Sequence, residues 1–419
     1  MTLNKSSTVG ALYLLPFFIF FTATSTALFQ PDSTGQAQQS SSLLNQIALT
    51  LAYSTAFILL LKQPGVISST LSKALPLNIL FFLMLISVFW SNMPVKVVIS
   101  VIHNTGVTFI TLCMTLLLLK DKEKFFKYLL MALFIYITAT IIVSLFVPSI
   151  GLMTSANKYD TSLIGRWRGL TDHPNSLGSI CLFTSWVTLS GYFYSNQSKF
   201  IKLIALLTLS ANLYCLYKAN SMTSLLLSIA LIIGIGWFTY LGKATGGIKA
   251  LKIMFAVFSF FMICAFILMM HPEYFSEKYF FYTIGRDSSL SGRARLWQIG
   301  LKGFTEKPML GWGYDSLVSF LTKYRLGYGT LHNGYLDLLV RGGIVSVSFF
   351  ILLLIQMYIL LIKESIKKNK DYLIISASAT SVLAHNMSET SILTNTNLIW
   401  IMFLLSYFYS LIIGNLKKY

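Results

Sequence analysis

The chain has 419 residues, of which 55% are hydrophobic and only 11% charged, and its mean hydropathy is +0.70. This composition exceeds what a soluble core needs, and the apolar runs repeatedly reach the roughly 20 residues that cross a bilayer. The net charge of +18 comes from basic residues dispersed over short loops without a nucleic-acid-binding motif, so we expect anionic lipid and not nucleic acid as its counterpart. The sequence therefore predicts an all-α polytopic membrane protein.

About twelve apolar segments are long enough to span the membrane. We predict them at about residues 10–29, 44–61, 75–91, 97–119, 128–148, 176–194, 200–217, 223–241, 251–270, 342–362, 372–390 and 395–414. The first five lie in an N-terminal region, residues 1–148, and the others in residues 149–419 together with two long outer loops, 149–175 and 271–341. The first span has the hydropathy of a secretory signal, but eleven more follow, so we expect an uncleaved anchor.

Lysine and arginine in the short loops predict the orientation, because basic residues are retained on the cytoplasmic side. With the N-terminus in the cytoplasm, 18 of the 32 basic residues lie inside, and all 18 are lysines. The even number of spans returns the C-terminus to the cytoplasm, where Lys417 and Lys418 agree. The seven arginines fall instead in or beside the two outer loops, at Arg166, Arg168, Arg286, Arg293, Arg295, Arg325 and Arg341.

The second outer loop contains one predicted helix. Residues 290–301 have the apolar spacing of a short amphipathic helix, with Leu296 and Ile299 on one face. Pro308 and the glycines that follow it end this helix. Long loops are usually functional, so these two loops are where we expect the site.

Arg-x-Arg occurs twice in the outer loops, first as Arg166 and Arg168 and again as Arg293 and Arg295. Guanidinium groups bind phosphate oxygens in a bidentate fashion and tolerate partial desolvation, so two such pairs at a membrane surface favour a diphosphate ligand. Alternatively, these side chains extend to lipid phosphates or pair with nearby aspartates. Lys218, at the outer end of the seventh span, either adds a cation to this group or ends its helix at the interface.

Histidine is scarce, and three of its five copies, His103, His332 and His385, are followed directly by Asn. A fourth, His173, is separated from Asn175 by one proline. All four are predicted toward the outer side, where they can converge on one cavity. Neutral imidazole accepts a proton from an attacking hydroxyl within hydrogen-bond reach. His332 is the preferred base because it follows the arginine-bearing loop, whereas His103 and His385 lie within spans.

Metal and nucleotide chemistry find no support in the sequence. The four cysteines lie in predicted spans without metal-ligand spacing, and neither an acidic pair for Mg²⁺ nor a glycine-rich phosphate loop is present. We therefore predict no metal and no cofactor, so the energy for the reaction must reside in the donor. This favours group transfer from a lipid diphosphate whose leaving group is stabilised electrostatically.

Four elements, in this order, resemble the superfamily of O-antigen ligases and Wzy-type polysaccharide polymerases. They are Trp-Arg-Gly-Leu-Thr-Asp-His-Pro-Asn-Ser-Leu-Gly (167–178), Leu-Ser-Gly-Arg-Ala-Arg-Leu-Trp (290–297), Pro-Met-Leu-Gly-Trp-Gly (308–313) and His-Asn-Gly-Tyr-Leu-Asp (332–337). The similarity covers about residues 160–400 and includes a polar span with Asn386, Ser388 and Glu389. In one departure, Ala294 and a second arginine stand where relatives often have Thr or Ser.

The resemblance implies a GT-C-like membrane glycosyltransferase of the bacterial inner membrane. It would act at the periplasmic face on an undecaprenyl-diphosphate-linked oligosaccharide donor, without metal or cofactor. It implies that Arg168 and either Arg293 or Arg295 hold the diphosphate, and that His332 activates the acceptor hydroxyl with inversion at the anomeric carbon. Arg166 and Lys218 are further diphosphate candidates, and the predicted supporting residues are His173, Asn175, Asn333, Tyr335, Asn386 and Glu389.

The acceptor distinguishes the functions that this resemblance allows. A polymerase joins lipid-linked repeats into O-antigen or exopolysaccharide, whereas an O-antigen ligase transfers glycan to lipid A-core. The wording of the motifs favours the polymerase, with the ligase as the alternative. A flippase for the same glycan is a third candidate, although transporters tend to show paired halves, which this sequence lacks. The predicted partners are the lipid-linked donor, a glycan or lipid A-core acceptor, membrane lipids and a chain-length regulator protein.

Overall fold

The computed structural model describes residues 43–154, 163–244, 289–324, 329–366, 371–394 and 397–416. In these ranges the protein is all-α, as predicted, and its single pairing of extended backbone is an isolated antiparallel bridge between Leu152 and Trp167. Arg286, Arg325 and the predicted spans 10–29 and 251–270 lie outside the described residues.

Fourteen α-helices follow one another in the described part of the chain. They are α1 (Leu43–Leu61), α2 (Pro64–Lys73), α3 (Leu75–Ile86), α4 (Pro94–Lys120), α5 (Lys122–Phe146), α6 (Pro148–Gly151), α7 (Pro174–Tyr194), α8 (Lys199–Ala219), α9 (Met222–Ala244), α10 (Ser289–Glu306), α11 (Leu317–Lys323), α12 (Gly334–Ile366), α13 (Asp371–His385) and α14 (Leu398–Leu416). A 3₁₀ turn, Ser87–Phe89, extends α3.

Several described helices are suited to a membrane. Helices α4, α5, α8 and α12 are long and apolar enough to cross it, and α1 with α2 makes a fifth span if this pair, bent by 105°, counts as one. Three shorter apolar helices are Leu75–Phe89, Met222–Gly236 and Leu398–Gly414. The chain is thus a multi-pass membrane protein by length and composition, and the count of twelve spans stays a prediction.

The ends of the helices follow from local chemistry. Five helices have proline in their first turn, where its missing N–H costs nothing: Pro64, Pro76, Pro94, Pro148 and Pro174. Asp121 caps α5 by accepting a hydrogen bond from the backbone N–H of Lys124 at 3.0 Å. Helix α8 ends at Asn220, whose left-handed φ of 51° lets its N–H reach the carbonyl oxygens of Leu216 and Tyr217.

The helices enclose two hydrophobic cores. The larger one surrounds α7 and α14, with Trp186 and Trp400 fully buried, and the Trp186 indole donates to the carbonyl oxygen of Ile374 at 2.9 Å. The smaller core joins α10 and α11 to the start of α12 and consists of Leu296, Leu317, Phe320, Leu321, Leu331, Leu336 and Val340. The predicted amphipathic helix is thereby confirmed, and it is longer than expected because it extends from Ser289 to Glu306.

Helix α12 is broken at Gly343, whose φ of 63° and ψ of −168° are not helical. The segment Pro308–Gly313, which begins with a turn, lies beside this break. The N–H groups of Trp312 and Gly313 donate to the carbonyl oxygens of Val340 and Arg341 at 2.8 and 2.9 Å. The carbonyl oxygens of Pro308 and Met309 in turn accept from the N–H groups of residues 344 and 345 at 2.9 and 3.3 Å. The segment therefore satisfies the backbone groups that the break leaves unpaired.

One predicted boundary agrees with the structure and another was wrong. The predicted span 342–362 begins at the break in α12, and the residues from Gly334 to the break instead pack on the smaller core. The predicted span 372–390 ends as a helix at His385. The polar residues 386–394 instead form a loop, which we call the Glu389 loop, since their side chains bind the backbone and replace the helical hydrogen bonds.

Candidate active site

Glu389 is the centre of the candidate site. Its Oε1 accepts a hydrogen bond from the Asn175 side-chain amide at 2.8 Å and an ion-pair contact from Arg293 Nη2 at 3.0 Å. Its Oε2 lies 3.2 Å from Nδ1 of His332. Three predicted site residues from three distant parts of the chain therefore meet at one carboxylate.

The carboxylate of Glu389 is held ionised by these neighbours. Burial by itself raises its pKa, but the hydrogen bond from His332 and the charge of Arg293 outweigh burial and lower the pKa from 4.5 to about 2. Glu389 lies in the loop that follows α13, and its side chain is only 14% exposed. A permanent negative charge thus lies beside the His332 imidazole.

The Glu389 loop takes its shape from Asn386. The side-chain oxygen of Asn386 accepts from the N–H groups of Ser391 and Ile392 at 2.8 and 3.2 Å, and its amide nitrogen donates to Val382 O at 2.8 Å. Asn386 is fully buried, so these hydrogen bonds take the place of those that its side chain would form with water. The loop is therefore a fixed platform for the Glu389 side chain.

The segment that carries His332 is fastened to the Glu389 loop through its backbone. The N–H of Gly334 donates to the carbonyl oxygens of Asn386 and Glu389 at 2.8 and 3.1 Å, and the Asn333 side chain donates to Met387 O at 3.1 Å. A Cβ on Gly334 would lie 2.1 Å from Oδ1 of Asn386, so only glycine fits this approach. His332 itself has a left-handed φ of 50°.

Asp337 and Tyr335 fix the same segment through further contacts. Oδ1 of the buried Asp337 accepts from the N–H of Leu331 at 2.9 Å, and its other oxygen lies 3.6 Å from Nη2 of Arg341. The Tyr335 hydroxyl donates to Leu383 O at 2.6 Å. Asn333 and Tyr335, predicted as supporting residues, thus act on the backbone around His332.

The N-terminus of α7 brings His173 and Asn175 to the site. Nδ1 of His173 accepts from the N–H of Asn175 at 3.1 Å, so the imidazole caps the helix. Burial lowers the pKa of His173, which favours its neutral form. Asn175 also accepts from Nη2 of Arg166 at 3.3 Å, and it therefore links the first Arg-x-Arg to Glu389.

The four arginines of the two Arg-x-Arg motifs have different surroundings. Arg166 donates through Nε to Ala219 O at 2.8 Å, and Arg168 donates through Nε and Nη2 to Ile150 O and Ser149 O at 2.7 and 3.2 Å. Arg293 donates through Nη1 to Ser388 O at 2.7 Å besides its contact with Glu389, whereas Arg295 is exposed. Arg293 is therefore the member of the second motif that lies in the site.

Lys218 and His103, which were also predicted toward the site, contact residues other than Glu389 and its neighbours. Nζ of Lys218 lies 5.7 Å and 5.9 Å from the ring centres of Tyr214 and Tyr217, as in a cation–π contact at a helix end. His103 contacts the Tyr53 hydroxyl through Nδ1 at 3.0 Å, so the predicted convergence of four histidines does not extend to it. The diphosphate role of Lys218 stays a prediction.

The sequence alone did not indicate several neighbours of the site. The backbone carbonyl of Ser388 binds Arg293, and the Ser388 hydroxyl lies 2.8 Å from that of Thr223. Ser179 contacts Nε2 of the buried His385 at 3.4 Å. Two of these residues had a usable signal: Ser388 lies in the polar segment with Asn386 and Glu389, and Ser179 lies four residues after Asn175 on the same face of α7.

Part of the chain is similar to known proteins. Residues 204–351, which include Arg293 and His332, match the family model described as O-Antigen ligase. The chain is also similar to the Exopolysaccharide production protein ExoQ of Rhizobium meliloti (strain 1021), with 25% identity over 173 residues. That alignment covers 38% of this chain and 38% of the relative. These similarities confirm the resemblance that the motifs predicted, since both point to the superfamily of O-antigen ligases and Wzy-type polysaccharide polymerases.

Proposed function

We propose that this protein is a periplasmic-face glycosyltransferase that polymerises undecaprenyl-diphosphate-linked oligosaccharide repeats into surface polysaccharide. The observation that carries the proposal is the contact of Glu389 with both His332 and Arg293. His332 and Arg293 contact different oxygens of this carboxylate, which supports a site that combines a base with a phosphate-binding cation. The relative is named for exopolysaccharide production, which agrees with a polymer as product.

His332 acts as the general base in the proposed reaction. With its Nδ1–H donating to Glu389, the imidazole receives the proton of the acceptor hydroxyl on Nε2, and the nearby carboxylate stabilises the imidazolium that forms. The acceptor oxygen forms a bond to the anomeric carbon while the bond from that carbon to the diphosphate oxygen breaks. Because attack and departure occur on opposite faces, this single displacement inverts the anomeric configuration.

The arginines hold the leaving group. The diphosphate departs with the electron pair of the broken bond, so its negative charge increases in the transition state. Arg168 uses Nε and Nη2 to bind backbone carbonyl oxygens, and these bonds orient its remaining N–H groups. Arg293 is oriented in the same way by Ser388 O and Glu389. Both guanidinium groups are thus ordered before the donor binds, and Arg166 is linked through Asn175 to Glu389, the partner of Arg293.

The charge distribution supports a periplasmic location for the reaction. In the predicted topology, the arginines of the site and the lysine-rich loops are on opposite sides of the membrane, with the lysine-rich loops in the cytoplasm. We infer a multi-pass protein of the bacterial inner membrane whose N- and C-termini are cytoplasmic. A chain-length regulator protein is a further proposed partner.

A ligase is the second candidate, because the matching family model is described as O-Antigen ligase. In that reaction the same groups would transfer the lipid-linked glycan to lipid A-core. The two functions differ only in the acceptor hydroxyl that reaches His332. The donor, the base and the leaving-group cations are the same in both.

Purified protein in liposomes distinguishes these functions. The vesicles receive undecaprenyl-diphosphate oligosaccharide, with or without lipid A-core, and the products are separated by length. A ladder of longer lipid-linked chains without core is the result expected for the polymerase, and transfer only in the presence of core would instead assign the ligase. Exchange of the lipid between leaflets without either product would overturn the enzyme proposal in favour of a flippase.

A further inference from the structure

A second cationic surface lies on α10, α11 and the segment between them, away from the Glu389 contacts. We call it the lysine–aromatic surface, and it consists of Lys302, Lys307, Trp312, Lys323 and Tyr324. Nζ of Lys307 lies 4.4 Å and Nζ of Lys323 5.3 Å from the Trp312 ring centre. Nζ of Lys302 and Lys323 lie 5.5 and 5.8 Å from the Tyr324 ring centre. Three ammonium groups therefore gather around two rings.

The surface keeps a positive charge. Glu306 contacts it, through Nζ of Lys323 at 3.6 Å and the Tyr324 hydroxyl at 3.1 Å. In the described part of the chain, Lys302 and Lys307 form no ion pair. Three lysines and one glutamate give a formal charge of +2, and all three ammonium groups are on exposed residues. An anion of more than one charge is the matching ligand.

The rings that gather these lysines are fixed from within. The Trp312 indole N–H donates to the carbonyl oxygen of Gly303 at 2.9 Å, and its ring centre lies 5.2 Å from that of Phe320. Phe320 in turn contacts the Tyr324 ring, also at 5.2 Å between centres. A Cβ on Gly303 would lie 2.4 Å from Phe320, so α10 approaches this stack closely. The aromatic rings that the lysines contact are therefore ordered, which lowers the entropy cost of binding an anion.

The surface adjoins the apolar part of α12, which is a candidate membrane span. Met309 and Leu310, directly after Lys307, are 62% and 43% exposed. The carbonyl oxygens of Pro308 and Met309 bind the N–H groups at residues 344 and 345, where the apolar part of α12 begins. Apolar side chains next to lysines and aromatic rings are typical of the lipid interface. A ligand with an anionic head group and an apolar chain fits these surroundings.

We propose that the lysine–aromatic surface binds the diphosphate of a second polyprenyl-diphosphate-linked chain, the acceptor of polymerisation. This inference rests on the polymerase function proposed above. A polymerase holds two lipid-linked chains, and the acceptor hydroxyl lies at the end of its glycan remote from its own diphosphate. The second diphosphate must therefore be bound away from His332.

The spacing along α10 agrees with that requirement. Arg293 and Lys302 lie on the same helix nine residues apart, which corresponds to about 14 Å along its axis at 1.5 Å per residue. One diphosphate at Arg293 and another at the lysine–aromatic surface would thus be separated by a glycan-sized distance. Exposed Met309 and Leu310 provide an apolar contact for the polyprenyl chain. A ligase whose acceptor is lipid A-core has no need of a second polyprenyl-diphosphate site.

Binding stoichiometry tests the proposal without turnover. The probe is undecaprenyl diphosphate without sugar, and native mass spectrometry counts the molecules retained by the full-length protein in detergent. We expect two on the wild type and one on the triple variant Lys302→Gln, Lys307→Gln, Lys323→Gln. A matched control removes the same charge from the predicted cytoplasmic side, at Lys127, Lys199 and Lys202, and should retain two.

Three outcomes would overturn the proposal. They are equal stoichiometry in wild type and triple variant, a lost molecule in the control as well, or full displacement by phosphatidylglycerol at equal concentration. The last outcome would make the surface a contact for ordinary anionic lipid. The substituted lysines are exposed, so the variant should fold, and its thermal unfolding is compared with the wild type to verify this.

Chain elongation in liposomes gives a second, kinetic test. The triple variant should show a rise of about tenfold or more in KM for the lipid-linked acceptor, with kcat and the KM of the donor near wild type. If the wild type elongates chains and the variant does so with unchanged acceptor KM, this proposal fails and the polymerase function stands. If the wild type does not elongate chains, the polymerase function itself fails.

Discussion

The position of His332 is determined by its backbone as much as by its side chain. Its left-handed φ of 50° is a conformation that residues with a Cβ adopt at a cost, and such strain is concentrated at functional sites. The hydrogen bonds of Gly334 and Asn333 with the Glu389 loop maintain it. The loop thereby supplies both the carboxylate for His332 and the backbone oxygens that hold the following residues.

Glu389→Gln should reduce chain elongation by a factor on the order of 10² or more, because the amide neither stabilises the imidazolium nor selects the tautomer with a proton on Nδ1. The measurement is kcat in liposomes, for Glu389→Gln, His332→Ala and the double variant. Because the two side chains act as one unit, the double variant should be no slower than His332→Ala. Losses that multiply in the double variant would contradict this coupling.

The pH dependence of stability should contain a contribution from Glu389. Its pKa is lowered by folding, from 4.5 to about 2, so the ionised carboxylate stabilises the folded protein above pH 4.5. This contribution, up to roughly 3 kcal/mol, is lost as the pH falls from there toward about 2. Thermal unfolding of the wild type and Glu389→Gln should therefore differ most near neutral pH and converge in acid. The exposed Glu306→Gln variant is the control, and a constant difference for Glu389→Gln would count against the assignment.

Residue types and order were sufficient to predict much of the site. His332, Arg293, Asn175 and Glu389 were all predicted, and the structure brings them together. The sequence did not distinguish Arg293 from Arg295, because they differ in burial, which depends on the contact of α10 with the Glu389 loop. Contacts made by backbone carbonyl groups have no residue signature and could not be predicted.

At the scale of elements, the break in α12 explains the Pro-Met-Leu-Gly-Trp-Gly motif. The segment joins the two halves of α12 through four backbone hydrogen bonds, and Trp312 also binds α10, the helix that carries Arg293. The hydropathy of the sequence predicted the apolar half of α12. It could not predict the half from Gly334 to the break, since that half is stabilised by packing on α10 and α11 and not by lipid.

Gly343→Ala should therefore disturb the site from a distance. A Cβ at this position would lie 2.1 Å from the carbonyl oxygen of Met309, at a φ of 63° that alanine adopts at a cost. We expect a destabilisation of roughly 1–3 kcal/mol together with reduced elongation, since the half-helix after His332 loses its attachment. Unfolding in detergent and elongation in liposomes are the measurements.

Gly236→Ala is the matched control for that variant. Gly236 lies within α9, and a Cβ there would have no neighbour within 4 Å. Alanine favours a helix over glycine, so this variant should be unchanged or slightly stabilised, with normal activity. If Gly343→Ala is as stable and as active as Gly236→Ala, the break in α12 is not required for the site.

At the scale of the whole molecule, the division between lysine and arginine corresponds to two different tasks. Lysines in short loops direct insertion, for which a compact charge suffices. Arg166, Arg168, Arg293 and Arg341 contact carbonyl oxygens or carboxylates, for which a planar group with several donors is suited. The sequence predicted this division without any knowledge of the helix packing.

Labelling of single cysteines in intact cells tests the resulting topology. Arg295 and Lys127 are both exposed, and they are predicted on opposite sides of the membrane. In the variant Arg295→Cys, a membrane-impermeant maleimide that enters the periplasm should react in intact cells, whereas in Lys127→Cys it should react only after the inner membrane is permeabilised. Cys113, Cys181 and Cys215 are buried and should stay unlabelled, and Cys264→Ser removes the fourth cysteine. If Arg295→Cys reacts only after permeabilisation, the arginine-bearing site faces the cytoplasm, where polymerisation at the periplasmic face cannot occur.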